Sequence, residues 1–93
     1  MSGIIKILQQ HKEELFKKYP IKTMALFGSY SRGEETPESD VDVMVELSGP
    51  IGIRFIGLSY EIEKLLCKKV DLVSKRGIKP GYLASIEPDL IYV

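Results

Sequence analysis

Apolar side chains return every three or four positions near the start of the chain: Ile4, Ile5, Leu8, Leu15, Phe16 and Tyr19. That period draws one apolar stripe along a helix over residues 3–19. Ser2 stands where a side-chain oxygen caps a first turn, and Pro20 cannot continue the last one. Residues 21–27, IKTMALF, then read as a strand. Its end, Met24-Ala25-Leu26-Phe27, is apolar on both faces, as in a strand covered on both sides or lying centrally in a sheet. Gly28 breaks it. Ser29 takes the N-cap position of a short helix over residues 30–34, and residues 35–39, ETPES, form a turn-rich loop around Pro37.

Strict alternation follows over residues 40–47. Val41, Val43, Val45 and Leu47 point one way; Asp40, Asp42, Met44 and Glu46 point the other. The valine face must pack on helices, so the opposite face borders solvent or a site. After a turn at residues 48–50, a helix from residue 51 or 53 to residue 67 carries a stripe of Phe55, Leu58, Ile62, Leu65 and Leu66. Residues 69–73 read as a third strand, with Val70 and Leu72 on one side and Asp71, Lys69 and Val73 on the other. A basic loop spans residues 74–81, Pro80 opens a short helix through residue 86, and residues 90–93 form a terminal strand. This order predicts an α/β (α+β) fold: a small mixed sheet of three to four strands with helices packed on one face.

Length and composition narrow the picture. Residues 1–93 are expected to form a single domain, 44% hydrophobic, able to bury a core but not to house a second substrate domain. Thirteen basic residues balance thirteen acidic ones, which argues against general nucleic-acid binding. The lone cysteine, Cys67, excludes an internal disulfide and fits a reducing, cytoplasmic location. No stretch approaches the roughly 20 apolar residues of a membrane span. The one histidine, His11, falls on the first helical stripe without a second histidine to build a site, so it reads as structural.

The candidate chemistry lies in residues 28–42, GSYSRGEETPESDVD. Asp40 and Asp42 alternate on one strand, so their carboxylates point the same way, about 6.6–7 Å apart at Cα. Two such carboxylates repel unless a cation holds them. Mg²⁺ takes oxygen ligands, commonly a few carboxylates plus substrate phosphates. If the third strand neighbours this one, Asp71 joins the same face, and the trio suits two metal ions clamping a phosphoryl transfer. A lone pair of aspartates also suits a solvated sheet face. The Gly28-Ser29 turn changes that balance. A glycine lets backbone approach a ligand, and N–H groups at a helix start with a serine hydroxyl favour a phosphate. Arg32 adds a charge-assisted contact. Phosphate cradle and metal pair together describe a nucleoside-triphosphate site.

Gly28-Ser29-x-x-Arg32-Gly33, then Ser39-Asp40-x-Asp42, then Asp71, closely resembles the polymerase-beta-like nucleotidyltransferase superfamily, and in length and ending its minimal bacterial and archaeal members. Ser31, where many relatives carry alanine, is a small departure. The resemblance implies that fold, with Gly28, Ser29, Arg32, Gly33 and Ser39 binding the nucleotide. It implies that Asp40, Asp42 and Asp71 are catalytic and hold two Mg²⁺ ions with ATP. It implies adenylylation of a hydroxyl, with Asp71 helping to remove its proton. It further implies a partner: a HEPN-like helical toxin protein, modified on a tyrosine by this chain as its antitoxin. Two other functions stay open. One is an inactive module that neutralises a partner by contact. The other is a small-molecule, aminoglycoside-type nucleotidyltransferase, weakened by the missing acceptor domain.

Overall fold

The computed structural model describes residues 2–93, with side chains from residue 3, so the expected Ser2 cap lies outside the described residues. Every predicted element is present, with small shifts at the ends. Helix α1 is Ser2–Lys18, strand β1 Ile21–Phe27, helix α2 Ser29–Arg32, strand β2 Val41–Leu47 and helix α3 Arg54–Leu66. Strand β3 is Val70–Ser74, helix α4 Pro80–Ile86 and strand β4 Ile91–Tyr92. Single 3-10 turns, Lys75–Gly77 and Glu87–Asp89, flank α4. The first gives the basic loop after β3 a defined shape.

The sheet runs β3-β2-β1-β4. β1 pairs antiparallel with β2 and β4, whereas β2 and β3 run parallel. Parallel neighbours need a long crossover, and α3 supplies it. The valine face of β2 is buried as its alternation requires: Val41, Val43 and Val45 pack with Leu8 and Leu15 of α1 and Leu58 and Ile62 of α3. Tyr30 of α2 is buried in the same cluster and fixes that short helix to the core.

The apolar run at the end of β1 is covered on both faces. Met24 and Leu26 enter the main cluster; Ala25 and Phe27 enter a smaller one with Met44 and Ile86, flanked by Leu83 and Val73. Helices were expected on one face only. The two long ones obey that, but α4 adds a small cover to the other face. Met44 explains why: an apolar residue among the carboxylates of β2 needs a lid, and Ile86 supplies it. No described helix is long and apolar enough to cross a membrane.

Candidate active site

Register brings the predicted carboxylates together. Phe27, the last residue of β1, lies opposite Asp42 in the antiparallel ladder. Asp42 in turn lies beside Asp71 in the parallel ladder. Paired residues on adjacent strands present their side chains to the same face, with the strands about 4.8 Å apart. Asp40 enters from the loop just before β2. Asp40 and Asp71 are exposed, and Asp42 between them is half-buried. Burial raises the Asp42 pKa above the ordinary aspartate range, and the charges of Asp71 and Asp40 push it further; Arg32 pulls the other way. The three carboxylates and the guanidinium therefore share one electrostatic neighbourhood.

The turn after β1 is fitted against that group. Gly28 has φ of 73° and ψ of −152°. A Cβ built there would stand 2.1 Å from Oδ2 of Asp42. Only glycine accommodates both the conformation and the carboxylate above it. The Gly28 carbonyl accepts N–H donation from Ser31 at 3.1 Å and Arg32 at 3.2 Å, which closes the first turn of α2. The leading N–H groups of such a helix have no carbonyl behind them. Ser29 was expected at the N-cap. Gly28 occupies that position instead, with no side-chain cap bond, and Ser29 is the first residue of the helix. The positive φ of Gly28 carries the chain directly from strand to helix, so no serine cap is needed.

The other predicted nucleotide residues divide. Gly33 ends α2 in the left-handed conformation, φ 71°, with its N–H donating to the Ser29 carbonyl. Arg32 donates from Nε to Glu34 Oε1 at 2.9 Å and from Nη1 to Asp89 Oδ2 at 3.3 Å. Its guanidinium thus braces α2 against the 3-10 turn before β4. Ser39 Oγ accepts from the Thr36 N–H at 2.9 Å, closing the loop that delivers Asp40. Glu34 and Asp89 were not singled out from sequence. Asp89 lies 57 residues from Arg32, and no local pattern signals that contact. His11 sits half-exposed, 3.6 Å from Glu14, away from the site.

Among the described residues, no group of three His, Cys, Asp or Glu side chains is set closely enough to hold a metal ion as it stands. The donor chemistry nevertheless fits a hard divalent cation: all-oxygen carboxylates on one face, one of them with a pKa raised by burial and by its acidic neighbours.

A mixed sheet with carboxylates paired across β2 and β3, above a glycine turn, is the arrangement that the nucleotidyltransferase resemblance calls for. The model of the nucleotidyltransferase domain family matches residues 8–93, and the chain belongs to that family. Within it, the chain is 48% identical over 97 residues to a protein of Methanocaldococcus jannaschii provisionally named a protein adenylyltransferase, covering 100% of this chain and 97% of that one. It is 38% identical over 94 residues to the protein adenylyltransferase MntA of Thermococcus cleftensis, covering 100% and 95%. Among solved structures, a minimal nucleotidyltransferase superposes with a TM-score of 0.75 at 28% identity, over 92% of each chain. A chain in the structure of a tri-AMPylated Shewanella oneidensis HEPN toxin in complex with MNT antitoxin shares the fold, with a TM-score of 0.61 at 23% identity, covering 98% of this chain and 66% of that one.

Proposed function

We propose that this nucleotidyltransferase moves AMP from ATP to a tyrosine hydroxyl of a HEPN-domain toxin, and so acts as its antitoxin. In this reading it works in the cytoplasm as one domain that takes its acceptor from another protein. The observation that carries it is the Asp42–Asp71 pairing above Gly28, which sets carboxylates and a phosphate-accepting turn side by side. Ser29 and the leading N–H groups of α2 receive the triphosphate. Arg32, held by Glu34 and Asp89, braces that turn and adds positive charge beside it. Gly33 and Ser39 support the nucleotide site by shaping the ends of the loop.

Two Mg²⁺ ions, held by Asp40, Asp42 and Asp71, would supply charge neutralisation for the triphosphate and the leaving group. The acceptor oxygen attacks the α-phosphorus in line. A new P–O bond forms, the bond to the bridging oxygen breaks, and pyrophosphate leaves with that electron pair. Asp71, exposed on the outer strand, receives the hydroxyl proton in this reading. The names of the two relatives and the AMPylated toxin beside the fold neighbour support a protein acceptor. So does the exposure of Asp40 and Asp71, which leaves the carboxylate face open to a docked surface.

The test is intact mass spectrometry of the HEPN-domain protein that co-purifies with the chain, after incubation with Mg-ATP. A gain of one or more AMP masses, absent with Asp40→Asn, is expected. A partner that is bound and silenced yet unmodified would instead make the chain a contact inhibitor.

A further inference from the structure

Strand β3 is an outer strand, with β2 on one side and none on the other. Over it lies a cleft of about 460 Å³, lined by Val73 and Ile78, with Phe55 of α3, Tyr82 of α4 and Lys79 around them. Val73 stands two residues beyond Asp71, so their side chains share a face of the sheet, about 7 Å apart along the strand. The cleft and the proposed proton acceptor are thus neighbours on one strand.

Apolar side chains are also exposed around α3: Ile53 at its N-cap, 88% exposed, with Ile56 and Tyr60 following at three- and four-residue spacing. Tyr82, on α4 around the edge of the sheet from α3, is 53% exposed. Apolar surface of this extent marks an interaction site more often than an accident of composition.

Charge gathers at the same edge. Lys68, Lys69, Lys75, Arg76 and Lys79 fall in a stretch whose only acid is Asp71, on a chain of zero net charge. Those five form no ion pair among the described residues, and neither do Lys6, Lys12, Arg54 and Lys64; what sets the five apart is their grouping around one outer strand.

We propose that the acceptor protein docks at the β3 edge. A large apolar side chain of the partner fills the cleft between Phe55 and Tyr82, and carboxylates around it meet Lys75, Arg76 and Lys79. The occupant is thus a protein surface with an apolar anchor in an acidic rim. The apolar lining disfavours RNA. The identity of the occupant as the acceptor rests on the AMP-transfer reading above; the docking surface itself rests on the cleft and the uncompensated charge. Docking there delivers a hydroxyl to Asp71 from the open edge.

The experiment titrates the chain with the co-purifying HEPN-domain protein, without nucleotide, and reads affinity directly. The variants are Arg76→Glu with Lys79→Glu, and Tyr82→Ala. Each should weaken the complex by about tenfold or more, and charge reversal should also flatten its salt dependence. Thermal stabilisation by Mg-ATP should stay at the wild-type level in both, which shows that fold and nucleotide site are intact. Wild-type affinity for the partner in both variants would overturn the proposal. So would loss of the Mg-ATP shift in Tyr82→Ala, which would give the cleft to the nucleotide. A short single-stranded RNA that binds the chain and is lost with the same variants would also overturn it. A weakened complex with a partner that never gains AMP would keep the docking surface and remove the transfer reading. Absence of any complex would remove both.

Discussion

A side chain on Gly28 would enter the space that the Asp42 carboxylate fills, so each residue constrains the other. Gly28→Ala would place a methyl group against the Asp42 carboxylate and force a side chain into a left-handed backbone. The expected loss is about 1–3 kcal/mol of stability, read by denaturant titration, together with the Mg-ATP thermal shift. Asp42 makes the opposite kind of prediction. Its folded pKa lies above its unfolded one, so in the window between them the folded state binds more protons. Stability therefore falls as pH rises through that window, from the ordinary aspartate range up to the raised value. Asp42→Asn should flatten this fall and raise the melting temperature of the free protein at neutral pH, while removing stabilisation by Mg-ATP. A variant that melts lower at neutral pH and keeps the pH slope would contradict the like-charge account.

Helix α2 shows what an element contributes beyond its residues. It holds no side-chain cap, so Ser29→Ala should leave stability almost unchanged. It should weaken ATP binding by about 0.5–1.5 kcal/mol for a neutral hydrogen bond, and up to about 3 for one to a charged oxygen, measured by calorimetric titration. Loss of stability without loss of affinity would make Ser29 a structural residue. The elements themselves were legible because their periods differ: the stripe of α1 and the alternation of β2 are local signals. The aspartate pair, the glycine turn and the parity of Asp71 were legible for the same reason. What sequence did not reveal depends on register and on distant contacts. Nothing near Phe27 says that it pairs with Asp42, which alone puts Gly28 beneath the carboxylate. The Ser29 cap was misplaced because the conformation of Gly28, not side-chain chemistry, starts the helix. The Arg32–Asp89 brace and the α4 lid over Met44 join segments far apart in the chain.

At the scale of the molecule, three strands must align before the site exists, and two binding functions can then be separated. Mg-ATP at a hundredfold excess over its Kd should stabilise the protein by about 2.7 kcal/mol, seen as a rise in melting temperature. Asp71→Ala should keep most of that rise while abolishing AMP transfer, because Asp71 comes from the outer strand, where the proposed mechanism brings in the acceptor. Wild-type transfer by Asp71→Ala would break the three-carboxylate arrangement. The two faces of the sheet are also held very unequally. One is sealed by α1 and α3 over most of the buried residues; the other rests on Ala25, Phe27, Met44 and Ile86 beneath α4. A unit anchored by so few buried contacts opens at a fraction of the global free energy. Amide hydrogens of α4 should therefore exchange with deuterium through a local opening, well before those of α1 and α3. Such early exchange would mark the lid over the second face as a separate foldon, and its protection factors would report on the cleft it borders.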